Sequence, residues 1–239
     1  MDSVPPGDFP ATQWSVVLAA GGKASEQSRT ALEALCRSYW QPLYSYVRRE
    51  GHSPEVAQDV VQGFLARLLE RDDFAAVAPD RGRFRSYLLA GLRHYLASEA
   101  RRQGAQKRGG GESAIPLEGA AEWIGEPALT DGVTPETAFD RRWAQTVLER
   151  ALEHLRKEHE QRGKLTWYEA LKPTLAGEPE ESYAGLGKNL GLSEGAVAVA
   201  VHRLRGRLRE LVRTEVAQTV GSAGDLDDEM RHLLTVWST

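Results

Sequence analysis

The sequence contains a single cysteine and no long apolar run, and both absences exclude classes of protein. Cys36 cannot form an internal disulfide, so a small secreted fold held by disulfides is excluded. No apolar stretch approaches the roughly 18 residues that a membrane-spanning helix needs. The opening residues, MDSVPPGDFPATQW, lack a basic segment followed by an apolar one, and so they do not predict a signal peptide. We therefore expect a cytoplasmic protein without membrane contact.

The sequence also lacks the alternating apolar and polar pattern of β-strands. Apolar residues recur instead at helical spacing along most of the chain. The 239 residues, 41% of them hydrophobic, are enough for one or two domains with cores of their own. The sequence thus predicts an all-α fold.

Motifs of catalysis and of metal binding are missing as well. His154 and His159 are five residues apart, about 140° around a helix, so they do not form a metal-binding pair. The glycine-rich KRGGGES lacks the Lys-Ser/Thr ending of a phosphate-binding loop. We predict that the protein is not an enzyme, binds no metal and needs no cofactor.

Composition along the chain predicts two helical domains joined by a flexible acidic linker. The linker is rich in glycine and proline, and residues 112–140 carry seven acidic side chains and no lysine or arginine. The expected segments are an N-terminal extension at 1–24, a first domain at 25–105, the linker at 106–137, a second domain at 138–217 and a C-terminal extension at 218–239.

Capping residues indicate where the helices of the first domain begin. Ser25 is a good N-cap for a long helix, and Ser53 followed by Pro54 predicts the start of the next. A third helix is expected from Phe84 to about Gln103.

Positive charge is concentrated on two of the predicted helices. Between Arg81 and Arg108 there are eight basic residues and one acidic residue, and between Lys188 and Arg213 there are six and two. Basic runs are often only solvated helix faces. Two such runs separated by an acidic tether favour binding to nucleic acid, because phosphates respond to the local field rather than to the net charge of −4.

The segment YAGLGKNLGLSEGAVAVAVHRLRGRL has the pattern of a helix-turn-helix. A short helix ends at Gly191, which suits a tight turn, and Ser193 caps a second helix. One stripe of that helix is apolar, with Val197, Val201, Leu204 and Leu208. An ordinary helical hairpin would explain this stripe, but not the small residues and arginines of the opposite face. Such a face can approach the major groove of DNA closely.

The third helix, RGRFRSYLLAGLRHYLASEARR, interleaves arginines with aromatic residues. Leu88, Leu92 and Leu96 are expected to face the core, whereas the arginines are available for phosphates. Aromatic rings beside cations suit stacking on unpaired bases, but core packing explains the same rings. The sequence leaves this choice open.

The chain resembles the sigma-70 family, and within it the extracytoplasmic-function (ECF) group with two conserved domains. Three segments carry the resemblance: YWQPLYSYVRREGHSPEVAQDVVQGFLARLLE with an Asp-x-x-Gln-x-Phe signature, FRSYLLAGLRHYLASEARR, and YAGLGKNLGLSEGAVAVAVHRLRGRLREL. They look like the core-binding segment, the minus-ten-reading helix and the minus-thirty-five-reading domain. Family members often carry Trp and Asn where this chain has Tyr87 and His94. The resemblance covers about 25–105 and 138–215.

The resemblance implies a transcription initiation factor that binds core RNA polymerase and directs it to promoter DNA. An anti-sigma factor or another regulatory protein would be a further partner. The polymerase-binding residues that it implies are Asp59, Gln62 and Arg67. In the first domain the implied DNA-binding residues are Arg83, Arg85, Tyr87, Arg93, His94, Arg101 and Arg102. In the helix-turn-helix they are Ser193, Glu194, Ala198, Val199, His202, Arg203 and Arg209. The acidic linker would mimic RNA in the exit path of the polymerase.

Two other interpretations fit parts of the sequence. A stand-alone helix-turn-helix regulator would bind DNA without polymerase, but would not need an exposed Asp59–Gln62 pair. A helical adaptor without a nucleic-acid role would not need the polarised charge.

The C-terminal extension contains one more amphipathic helix, expected at about Asp225–Val236. Its apolar stripe holds Leu226, Met230, Leu233, Leu234 and Trp237, and acidic residues lie near its start. A helix this short is marginal alone, so we expect it to dock on its own chain or on a regulator. Its acidic start could shield a basic DNA-binding face, which would make the extension autoinhibitory.

Overall fold

A computed structural model of the protein describes residues 12–19, 25–70, 83–106, 132–177 and 181–238. These residues form helices and turns, and within them the only β-type contact is an isolated bridge between Arg83 and Val220. The prediction of an all-α fold is confirmed for this part of the chain. Most of the predicted acidic linker lies outside the described residues.

The described helices follow one another along the chain. They are α1 (Gln13–Ala19), α2 (Glu26–Arg49), α3 (Pro54–Glu70), α4 (Phe84–Gln106), α5 (Pro135–Gln161), α6 (Leu165–Leu171), a 3-10 helix (Lys172–Ala176), α7 (Tyr183–Leu190), α8 (Glu194–Ala217) and α9 (Ala223–Trp237).

Local capping explains where several helices begin. Ser25 accepts a hydrogen bond from the backbone N–H of Ser28, whose hydroxyl in turn accepts from the N–H of Ser25, so α2 starts with a reciprocal capping box. Ser222 caps α9 in the same way as Ser182 caps α7, through one side-chain oxygen each. These serines supply acceptors for N–H groups that have no partner within the helix.

The chain divides into two compact units. The first comprises residues 1–146 and 216–239, and the second comprises residues 147–215. The divisions fall at Val147 and Val216 rather than at the expected 138 and 217. Phe139 and Trp143 are buried in the first unit, which is why the start of α5 belongs there.

An aromatic cluster forms the centre of the first unit. Phe84 is fully buried, with its ring centroid 4.9 Å from Trp14 and 5.2 Å from Tyr39. Tyr39 also stacks on Phe139 at 6.2 Å. The sequence did not predict α1, because seven residues are too few for a clear helical period, yet its Trp14 is completely buried.

Hydrogen bonds to the backbone carbonyls of residues 218–220 join this segment to the rest of the first unit. The N–H of Phe84 donates to the carbonyl of Thr219 at 3.0 Å, and the N–H of Trp14 donates to that of Gln218 at 3.1 Å. The hydroxyl of Thr12 donates to the carbonyl of Val220 at 2.7 Å. The extension is therefore part of the first unit, as expected for docking on its own chain.

Two glycines allow α3 and α4 to approach closely. A Cβ atom on Gly63 would lie 2.5 Å from the hydroxyl of Tyr95, and one on Gly91 would lie 3.2 Å from the ring of Phe64. Both aromatic rings thus lie between the two helices, and Tyr95 is half-buried there. In this structure, packing within the first unit explains the rings of Tyr95 and Phe84, rather than availability for stacking on unpaired bases.

The second unit is built around the apolar stripe of α8. Val197, Val201 and Leu204 are buried, as are Ala151 and Leu155 of α5. Leu208, the fourth residue of the predicted stripe, is half-buried. In the described part of the chain, no helix has the length and apolar character needed to cross a bilayer.

Candidate nucleic-acid interface

The turn between α7 and α8 has the tight geometry of a helix-turn-helix. Gly191 adopts φ +66°, a left-handed conformation that side chains disfavour. The N–H of Leu192 donates to the carbonyl of Gly187 at 2.8 Å, and a Cβ on Gly187 would lie 2.6 Å from the Leu192 carbonyl oxygen. Gly191 therefore permits the left-handed turn, and Gly187 permits the close approach of α7 to the residues that precede α8.

All the predicted DNA-binding residues of the helix-turn-helix have exposed side chains. They are Ser193, Glu194, Ala198, Val199, His202, Arg203 and Arg209. Val199 is 52% exposed, which is unusual for a branched apolar side chain. The exposed side of α8 thus combines small and apolar residues with arginines at its edges.

Two other arginines of α8 bind within the second unit. Arg205 donates to the backbone carbonyls of Thr174 and Gly177 at 2.6 and 2.9 Å. Arg207 pairs with Glu158 at 2.5 Å and with Glu210 at 2.6 Å. The hydrogen bonds from Arg207 lower the pKa of Glu158. These two arginines stabilise the unit, which leaves Arg203 and Arg209 as the exposed arginines beside His202.

A groove of about 690 Å³ runs along one flank of α8. One wall contains Ala196, Val199 and Arg203 of α8. The other contains Arg162, Lys164 and Trp167, from the turn after α5 and from α6. Sequence reasoning missed this second wall; the only signal was a tryptophan close to two basic residues in a short helical segment.

Ring contacts position the wall that contains Trp167. Trp167 stacks on His159 with 6.4 Å between ring centroids and 15° between the ring planes. His159 is buried, its Nδ1 lies 2.8 Å from the carbonyl oxygen of Leu155, and its ring also contacts Tyr168 at 5.4 Å. These contacts position the Trp167 ring against the groove.

The predicted DNA-binding residues Arg83 and Arg85, at the start of α4, bind acidic side chains of the same unit. The Arg85 side chain is 12% exposed and binds Asp140 at 2.6 Å and Glu229 at 3.0 Å. Arg83 binds Asp228 at 2.6 Å and also lies within 3.6 Å of Asp225. In this conformation three acidic residues of α9 neutralise both arginines, and their contact with DNA stays a prediction.

Two further predicted residues of α4 also have partners within the first unit. Arg93 is exposed and binds Glu136 at 2.6 Å and the hydroxyl of Tyr46 at 3.2 Å. The ring of Tyr87 lies 5.6 Å from that of Trp14 and is half-buried. Tyr87 is accordingly a packing residue in this conformation.

The second half of α4 presents the remaining predicted residues. His94, Arg101 and Arg102 are all exposed. Arg102 lies 3.3 Å from Glu99, an exposed pair within one helix turn that contributes little to stability. The basic surface of α4 is thus confined to its middle and its C-terminal half.

The predicted polymerase-binding residues lie on α3. Asp59 and Arg67 are exposed and Gln62 is half-buried. The guanidinium of Arg67 lies 6.0 Å from the centroid of the Tyr95 ring, close enough for a cation–π interaction. The apolar stripe of the same helix, with Val61 and Phe64, is buried.

Within the described residues, no group of three or more histidine, cysteine or acidic side chains could hold a metal ion.

Comparisons with family models, with curated proteins and with solved structures found no match for this chain.

Proposed function

We propose that the protein is a transcription initiation factor, similar to ECF sigma factors, that acts in the bacterial cytoplasm. It binds core RNA polymerase and directs it to promoters through DNA contacts of both units. The proposal rests on the resemblance of the three sequence segments and on the geometry of the helix-turn-helix.

The observation that carries the proposal is the exposed side of α8. A recognition helix needs small residues at its centre, so that its backbone can approach the base edges, and cations at its edges for the phosphates. Ala198, Val199 and His202 provide the centre, and Arg203 and Arg209 provide the edges. A helix that only closed a hairpin would not need an exposed valine between arginines.

The role of the first unit follows from two of its helices. Asp59 and Gln62 lie one turn apart on α3, opposite its buried stripe, where they would engage a helical surface of the polymerase. His94, Arg101 and Arg102 of α4 would bind the promoter near the site of melting. Arg83 and Arg85 would stabilise the unit rather than bind DNA.

The proposal is tested by run-off transcription with purified bacterial core RNA polymerase on a genomic library. We expect specific transcripts only when the protein is added, and expect the Asp59→Ala variant to yield fewer. Glu26→Ala is a matched control, because it removes an exposed carboxylate from α2 instead. Binding of promoter DNA without polymerase-dependent transcripts would identify a stand-alone regulator and contradict the proposal.

A further inference from the structure

The groove beside α8 is built in part by residues that lie between the second and the third of the three segments quoted for the family resemblance. Its second wall, with Arg162, Lys164 and Trp167, comes from the turn after α5 and from α6. We propose that this groove binds the sugar-phosphate backbone of the same DNA duplex that α8 reads. The inference rests on the proposed DNA-binding role of α8 and extends the interface beyond the helix-turn-helix.

The position of the groove places it where a DNA strand would run. When a helix lies in the major groove, the two phosphate backbones border its two flanks. Arg203 and Arg209 lie about 120° apart around α8, so each faces a different backbone. Of these two arginines, Arg203 lines the groove and Arg209 does not, so the groove accompanies the strand on the Arg203 flank.

The positive charge at the rim of the groove is complementary to a polyanion. Arg162, Lys164 and Arg203 are exposed and lie on both walls. Glu158 offsets part of this charge, but its close partner is Arg207 at 2.5 Å, whereas Arg162 lies 4.0 Å away. The rim thus keeps cationic side chains on either side of a path that a phosphate chain can follow.

The apolar lining of the groove suits the sugars of such a strand. Trp167, Leu192 and Val199 line the groove together with the cationic side chains, so apolar surface is available beside them. Deoxyribose rings can pack on that surface while the phosphates on either side bind the cations. An acidic peptide would share the charge, but the continuity of the groove with the exposed side of α8 favours DNA.

The test measures binding of the full-length protein to a labelled mixed-sequence duplex at several salt concentrations. Arg162→Ala and Lys164→Ala should each weaken binding severalfold and flatten the salt dependence by about one unit, because each removes one phosphate contact. Lys172→Ala is the matched control, since Lys172 is an exposed cation of the same unit that does not line the groove. It should leave both quantities unchanged.

A second pair of variants tests the apolar lining of the groove. Trp167→Ala should weaken duplex binding at every salt concentration without changing the slope, and Trp167→Phe should restore most of the affinity. Circular dichroism and thermal unfolding verify that both variants fold. Unchanged duplex affinity in the folded Trp167→Ala variant would overturn this assignment.

The outcomes distinguish the inference from the proposed function. If Arg203→Ala weakens duplex binding while Arg162→Ala and Lys164→Ala do not, the groove inference is wrong and the role of α8 stands. If the wild-type protein does not bind duplex at all, both are overturned. If polyglutamate binds in a Lys164-dependent manner and duplex binding is independent of Lys164, the groove takes an acidic peptide and the inference is wrong.

Discussion

Arg85 and Glu229 form a two-pronged salt bridge between the start of α4 and the middle of α9. Nε and Nη2 of Arg85 donate to the two carboxylate oxygens of Glu229 at 3.1 and 3.0 Å. Glu229 is completely buried, and the Arg85 guanidinium also lies over the Trp143 ring at 5.2 Å. The C-terminal helix is therefore joined to the first unit by a buried charge pair as well as by its apolar stripe.

Loss of this pair should strongly destabilise the first unit. Arg85→Ala would leave the carboxylate of Glu229 buried without its main partner, which typically costs about 3–5 kcal/mol. Urea unfolding measures the change in free energy. Arg102→Ala removes an exposed arginine from the same helix and should cost less than about 0.5 kcal/mol. Equal stability of the two variants would show that Glu229 has another way to compensate its charge.

Stability should fall at acid pH in part through Asp140. Burial alone would raise the pKa of Asp140, but its hydrogen bond with His232 and the charge of Arg85 outweigh burial and lower that pKa. A carboxyl whose pKa is lowered by folding adds stability above its unfolded pKa of about 3.9, and this stability is lost as the pH falls through the folded pKa. The free energy of unfolding of Asp140→Asn should therefore depend less on pH below about 4 than that of the wild type.

The acidic start of α9 should restrict access to Arg83. Asp225→Asn with Asp228→Asn removes two of the three acidic partners of Arg83 without creating a cavity, and Glu229 remains at 3.3 Å, so this arginine becomes more available to phosphate. Affinity for single-stranded DNA should rise a fewfold. Asp227→Asn makes the same kind of charge change at an exposed side chain of the same helix and serves as the control.

This double variant is a cleaner test of autoinhibition than truncation after Gly221. Truncation would remove Leu226, Glu229 and Leu233, which are buried in the first unit, and would therefore unfold it in part. Unchanged DNA affinity in the double variant would count against autoinhibition by charge.

Removal of the Asp59 carboxylate should weaken binding to core RNA polymerase without affecting the fold. Asp59 is exposed, so Asp59→Ala should change the free energy of unfolding by less than about 0.5 kcal/mol. A pull-down with core enzyme measures the loss of binding, with Glu26→Ala as the control. Normal binding of the folded variant would remove Asp59 from the interface.

His202 and Arg209 should affect DNA binding in different ways. Arg209→Ala should weaken binding to all sequences and flatten the salt dependence by about one unit, as expected for a phosphate contact. His202→Ala should instead relax the preference at one base pair, at a cost of about 1–3 kcal/mol for the preferred base. Titrations on promoter and scrambled duplexes separate the two effects. A change of sequence preference in Arg209→Ala, with an unchanged salt slope, would show that the faces of α8 are assigned wrongly.

The sequence alone predicted the elements whose signals are local. Ser25, Ser53 and Pro54 indicated helix starts, and Gly191 indicated the turn before α8, because capping and left-handed conformations depend on neighbouring residues. The apolar stripe of α8 separated its buried side from its exposed side for the same reason. An all-α fold follows from such repeated local preferences.

Only the tertiary structure decided how the charged residues are used. Sequence reasoning treated Arg83 and Arg85 as DNA ligands, yet their partners lie about 140 residues away along the chain, on α9. Lys164 and Trp167 drew no prediction, yet they form a wall beside α8. A local pattern shows that a residue is charged and which helix face it occupies. Whether an opposite charge compensates it depends on contacts between distant segments, which only the packed chain defines.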